Sequence, residues 1–332
     1  MNTSPQVLAT PAAHQHMVGR PDAPPPTASA PHEYQQRIAI ERPRAWRGIV
    51  ALVLLMLGML VFAGIFGVAA VGIEFAVRGE ITTGMTPFTL AGGMLGLAAM
   101  TPWSMALQKW FFKVPAVSLH SVVARFRWDV FGRSVAILIP LWALVQVVYP
   151  SLLPQPTAAY ASGDALAFVV ITLMLVPLQS MGEEYAFRGL AFRIAASWGR
   201  GPRTGLVIGL VVSSLLFMVA HFALDPWLNV YYFTFGAALC LITWRTGGLE
   251  SAVVLHAVNN VVAFLVGVTL RHDLNAGLDR SAGVASPVML IPCALLVIVA
   301  AIVWWRTPRP ALSPPAPGAE LAHPTPTGTL AE

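Results

Sequence analysis

Charge is what this sequence has least of. Only 11% of its 332 residues are Asp, Glu, Lys or Arg, whereas soluble domains carry about 25%. A water-soluble domain of this length still has a polar surface to build. The deficit therefore excludes an ordinary soluble fold, and the 56% hydrophobic content points to a bilayer. Lysine is nearly missing: Lys109 and Lys113 stand beside 18 arginines. Cysteine is scarce too. Cys240 and Cys293 both fall in apolar runs, which excludes a disulfide framework and leaves packing as their role. The opening MNTSPQVLATPAAHQH lacks a basic region followed by an apolar stretch, so it is not expected to act as a signal peptide. No internal repeat is visible.

Long apolar runs are abundant. A spanning helix needs about 20 largely apolar residues. Eight stretches qualify, at roughly 47–77, 86–108, 134–153, 165–197, 204–223, 227–246, 248–270 and 286–305. The stretch 113–133 is too basic to span and reads as an interfacial helix or loop, with Arg125, Arg127 and Arg133 in the headgroup region. In an eight-span arrangement with both termini cytoplasmic, one side receives Arg37, Arg42, Arg44, Arg47, Lys109, Lys113, Arg125, Arg127, Arg133, Arg188, Arg193, Arg200, Arg203, Arg245, Arg306 and Arg309. The other receives only Arg78, Arg271 and Arg280. The net charge of +5 is thus a topology and lipid signal, and no nucleic-acid partner is expected. Trp46, Trp110, Trp198, Trp244, Trp304 and Trp305 lie near span ends, as in an interfacial belt. Residues 1–45 and 307–332, rich in Pro, Ala and polar residues, read as disordered tails around a membrane domain at 46–306. Removing 1–35 and 311–332 is accordingly expected to leave that domain intact.

Ionisable groups at membrane depth are costly and usually functional. They concentrate in three clusters: Glu183-Glu184-Tyr-Ala-Phe-Arg188, Phe217-Met-Val-Ala-His221 and His256-Ala-Val-Asn259-Asn260. On a helix Glu184 and Arg188 share a face and can pair, while Glu183 is turned about 100° away. Phe217 stacks under His221 by the same spacing, and His256 and Asn260 project from one face, with Asn259 pointing to the side. A carboxylate, two imidazoles and a carboxamide on apolar helices form a water-activation set. A carboxylate or a histidine takes a proton from water. A histidine and an asparagine donate to a developing oxyanion. Glu183, His221 and His256 are alternatively a ligand set for zinc.

The three motifs, Glu-Glu-x-x-x-Arg, Phe-x-x-x-His and His-x-x-x-Asn, in this order on successive helices, resemble those of the CAAX protease and bacteriocin-processing family of intramembrane proteases, also called the Abi family. The resemblance covers residues 165–265. It implies that Glu183 and His221 activate the attacking water, that His256 and Asn260 stabilise the oxyanion, and that Glu184, Arg188 and Phe217 support them. The family is often described as metalloproteases, and a metal-free, glutamate-driven mechanism is also proposed for it. Zinc or no cofactor at all is therefore expected.

The sequence thus predicts an all-α, multi-pass helical bundle of the plasma membrane. Its expected activity is hydrolysis of a peptide bond in a membrane-associated peptide or protein. A transporter places ionisable residues at the same depth, and a non-catalytic scaffold could use the same groups to grip a partner's transmembrane segment. By residue counting, His221 and His256 lie at different depths along straight helices. The 222–227 connection is therefore expected to dip into the protein.

Overall fold

The computed structural model describes residues 31–41, 43–151, 156–307 and 311–314. Within them, eight helices are long and apolar enough to cross a membrane. They are α1 (Ala45–Arg78), α2 (Pro87–Phe112), α3 (Trp128–Ser151), α4 (Ser162–Ala196), α5 (Pro202–Ala220), α6 (Pro226–Thr246), α7 (Glu250–Thr269) and α8 (Leu290–Arg306). Among the described residues there is no multi-residue strand, only isolated bridges such as Ser121 with Gly248. Local chemistry sets the boundaries. Thr86 caps α2 ahead of Pro87 by accepting from the Thr89 N–H, and Asp225 caps α6 ahead of Pro226 by accepting from Trp227 and Leu228. Gly79 and Gly247 end α1 and α6 in the left-handed conformation that glycine adopts without strain.

The outer helices keep apolar side chains exposed: Ile49, Val53, Leu57, Val61, Ile65 and Val68 of α1 are all at least half or nearly half open. In water such a surface would be an aggregation site; against lipid it is the favourable exterior. The C-terminal half of α4 is the opposite case. Every residue from Gly182 to Ala196 is buried, making this segment the central post of the bundle. It approaches α2 so closely that a Cβ on Gly182 would run into the Leu97 carbonyl. Glycine at this position therefore lets Glu183 sit deep between helices.

Three expectations need correction. First, the folded chain starts well before 45. Residues Tyr34–Gln36 and Ala39–Glu41 form 3-10 turns. Tyr34 is fully buried, its hydroxyl donates to the Leu119 carbonyl at 2.7 Å, and the Arg193 guanidinium lies 3.9 Å from its ring centroid. Ser313 is buried too and accepts from the His32 N–H. The proline-rich composition hid this because only a few scattered residues, Tyr34, Gln35 and Ile38, are fully buried there. The remainder of both tails, residues 1–30 and 315–332, lies outside the described residues. Truncation through residue 35 is therefore expected to destabilise the protein. Tyr34→Ala alone should cost about 3–5 kcal/mol, the usual penalty for emptying a buried aromatic site, read as a lowered unfolding midpoint in detergent. An unchanged midpoint would mean that this segment is not anchored by Tyr34.

Second, several of the basic residues read as topology signals and lipid contacts are internal. Arg188 and Arg193 are buried, and Arg245 is nearly so. Arg127 makes a two-pronged contact with Glu250, at 2.9 and 2.6 Å, and donates to the Thr246 carbonyl. Each has partners that only the tertiary fold brings near. Third, Trp244 is buried, with its indole N–H donating to Glu33, so it is not part of an interfacial belt. Cys240 and Cys293 are free and buried, as packing residues would be.

Candidate active site

The site grows from the middle of α4. Regular helix runs to Glu184 and then widens into a π-helical segment, Tyr185–Ala191, before resuming at Phe192. Such widened turns are rare and cluster at functional sites. Glu184 and Arg188 pair at 3.0 Å, both fully buried. Arg188 also lies over the face of Phe217, 4.0 Å from its centroid. Phe217 stacks in turn on Phe235, with ring centroids 5.8 Å apart and planes 13° apart. The phenylalanine of the second motif thus supplies a π face to an otherwise dehydrated cation.

Glu184 has a second partner that the linear sequence could not reveal. His256 Nδ1 lies 2.6 Å from Glu184 Oε1, and its Nε2 lies 3.5 Å from Glu183 Oε2. The imidazole therefore sits between the two carboxylates. His221 closes α5, and its Nδ1 bonds the Phe217 carbonyl at 2.8 Å. That bond needs the proton on Nδ1, leaving Nε2 as the ring's second nitrogen for the cavity. The ring is held flat against Tyr232, with centroids 3.8 Å apart and planes at 22°.

A cavity of about 90 Å³ gathers Glu183, His221, His256 and Asn260 with Gln179, Asn259, Phe217, Tyr231, Tyr232 and Phe235. This is room for a water, which needs only about 10–15 Å³ of such space, with some to spare. All four expected catalytic residues meet there. Asn259, expected to point aside, also lines the cavity. Gln179 was missed, although it lies four residues before Glu183 on the same helical face. Tyr231, Tyr232 and Phe235 were missed because aromatics at helical spacing read as ordinary core.

The connection after α5 does not dip into the protein as expected: Phe222 and Leu224 are exposed, and Asp225 is its buried residue. Phe222 takes a positive φ of 50° and turns the chain out of the helix. The segment after α7 then lies over it. Leu224 N–H donates to the Arg280 carbonyl, and Asp225 accepts from Gly283 and Ala285 as well as from its own helix. Burial pushes the Asp225 carboxyl up, but the Leu228, Ala285, Trp227 and Gly283 N–H groups outweigh it and hold the carboxyl below the ordinary value. The Arg280 guanidinium stands 5.8 Å from the Tyr232 ring. On the far side of α4, Tyr185 bonds His120. Burial holds the His120 imidazole below its ordinary pKa.

The zinc alternative needs converging donors. Among the described residues no three His, Cys, Asp or Glu side chains are grouped to hold a metal ion. One nitrogen of each imidazole is committed, His221 Nδ1 to a carbonyl and His256 Nδ1 to Glu184, which leaves each Nε2 for the cavity, as a water contact or as a ligand. Glu183, His221 and His256 line one cavity, but in this geometry they are not drawn together as a ligand set.

Comparison with known proteins reaches the same region. Uncharacterized protein YyaK of Bacillus subtilis (strain 168) is 33% identical over 113 residues, which is 32% of this chain and 36% of that protein. The match thus spans little more than a third of the relative's length. No solved structure matches. Residues 164–262 match the family described as type II CAAX prenyl endopeptidase Rce1-like. Those residues hold all three motifs, so the region that resembles the CAAX protease family by Glu183–Arg188, Phe217–His221 and His256–Asn260 is also the region that matches this family's model.

Proposed function

We propose that this protein is an intramembrane endopeptidase that hydrolyses a peptide bond of a membrane-associated peptide or protein with an activated water. The observation that carries the reading is the single cavity into which α4, α5 and α7 send Glu183, His221, His256 and Asn260. Glu183 takes a proton from the water, and His221 Nε2 accepts the water's other hydrogen bond and orients it. The water oxygen bonds the scissile carbonyl carbon. The resulting oxyanion is met by Asn260 Nδ2 and His256 Nε2. His256 is suited to this because Glu184 holds its Nδ1 at 2.6 Å and its Nε2 stands on the cavity side, beside Glu183. Collapse breaks the C–N bond, and Glu183 returns its proton to the leaving amine.

The test is cleavage of a membrane-peptide library by purified protein in liposomes, run in H₂¹⁸O. One ¹⁸O should appear in each new carboxylate, only with an intact site, and chelators should leave the rate unchanged. Solute uptake into sealed vesicles without cleavage would favour a transporter. Loss of activity on metal removal would restore the zinc mechanism.

The same reading places the protein in the plasma membrane with both termini cytoplasmic. Cysteines introduced at Ser281 and Thr307 should then react with impermeant maleimide from opposite sides; the native Cys240 and Cys293 are buried and should not compete. Same-side labelling would reject the orientation.

A further inference from the structure

We infer that Asn259 and Trp142, neither part of the three motifs, are positioning residues that fix which end of the Asn260 carboxamide faces the cavity. This rests on the proteolytic reading above. A carboxamide can be turned over, offering either an oxygen or an NH₂ group from nearly the same volume. An oxyanion is stabilised by the NH₂ end alone. Something must therefore set the polarity.

The setting begins at an unambiguous donor. Trp142 of α3 is 1% exposed, and its indole N–H, which can only donate, lies 3.1 Å from Asn259 Oδ1. Tyr231 of α6 donates to the same oxygen at 3.1 Å. Two donors converging on one atom identify it as the carbonyl oxygen, so the Asn259 NH₂ must point the other way. There it meets Asn260 Oδ1 at 2.9 Å. The Asn260 oxygen is thereby occupied, and its NH₂ is turned to Gln179 Oε1, 3.1 Å away. That oxygen also accepts from Ser180. One of the two Asn260 N–H bonds is used on Gln179; the second remains for the substrate oxygen. The direction of every bond in the series follows from the indole. Four helices contribute, so the polarity is set by the bundle and not by the local sequence.

Trp142→Phe removes the anchoring donor and keeps the aromatic packing. Asn259→Asp replaces the NH₂ with an oxygen that repels Asn260 Oδ1. Removal of an oxyanion donor outright costs about 10²–10³ in kcat. A donor left in place but free to turn over should lose less, on the order of tenfold in kcat with KM unchanged for Trp142→Phe, and more for Asn259→Asp. The deciding comparison is the double variant. If Trp142 acts through Asn260, Trp142→Phe should have no further effect on kcat once Asn260→Ala is present. Multiplicative losses would overturn the inference, because a general packing defect adds to the loss of Asn260. The second measurement does not need turnover: the Asn260 side-chain NH₂ resonances of ¹⁵N-Asn-labelled protein, assigned with Asn260→Ala, should move in Trp142→Phe, and unmoved resonances would also overturn it. Glu183→Gln in the same assay separates the two levels. Normal cleavage by that variant defeats the proteolytic reading whatever the resonances do. Loss of cleavage there, with multiplicative losses at Trp142 and Asn260, defeats only the positioning role.

Discussion

Glu183→Gln should lower peptide cleavage at least about 100-fold, the low end of general acid–base contributions, while leaving the bundle folded. The substitution keeps the side chain's volume and its ability to hydrogen bond, but it cannot take the proton of the attacking water. The structure makes the test clean. Glu183 is only 8% exposed, yet its ion-pair contact is the 3.5 Å approach to His256 Nε2, which an amide oxygen can still accept. Among the described residues no arginine pairs with it. Folding should therefore be preserved and only chemistry lost. His221→Ala should fall comparably, since His221 Nε2 addresses the same cavity. Asn260→Ala should lose about 100-fold through the oxyanion. Near-normal turnover by Glu183→Gln would remove it as the base and, with it, most of the case for a protease.

The neighbouring glutamate should fail differently. Arg188→Ala and Glu184→Ala are each expected to cost about 3–5 kcal/mol of stability, as when one partner of a buried ion pair is removed. Arg188 is fully buried between Glu184 at 3.0 Å and the Phe217 face at 4.0 Å, so its loss strands a carboxylate and leaves a cavity. Glu184 also holds His256 at 2.6 Å, so its loss affects the site as well as the fold. Glu184→Gln, which still offers an oxygen to His256 Nδ1, should be milder in stability than Glu184→Ala. Thermal midpoints and folded yield in detergent decide this. If the two alanine variants stay as stable as wild type and lose only activity, the division between a chemical and a structural glutamate is wrong.

The eight spans were legible because a membrane helix must be apolar over its whole length, a requirement that each run meets by itself. The Glu184–Arg188 pair was legible because four residues make one helical turn. What the sequence could not offer were partners on other helices: His256 for Glu184, Trp142 and Tyr231 for Asn259, Glu250 for Arg127. Asn259 was misplaced for this reason. Its angle on α7 is right, but α3 and α6 close round that side of the helix and make it part of the cavity wall. The widening at Tyr185–Ala191 was invisible as well, since YAFRGLA carries no proline and a single glycine to mark a departure from regular helix.

The buried half of α4 has a consequence for biogenesis. The segment carries Glu183, Glu184, Arg188 and Arg193 into the bundle, and a single charge at a helix centre opposes insertion by about 2.5–3.5 kcal/mol. Its own pair, Glu184 with Arg188, offsets part of that. Arg193 finds Tyr34, Gln108 and Ser118 in chain already made, but Phe217 and His256, the partners of Arg188 and of the two glutamates, are synthesised later, on α5 and α7. During synthesis this stretch is therefore the least lipid-compatible part of the nascent chain, and it reaches its final environment only after α7 has emerged. A ribosome-arrested chain in which α7 is still unsynthesised or inside the ribosome should leave it exposed to protease or membrane quality control, whereas one long enough for Thr269 to have left the exit tunnel should protect it.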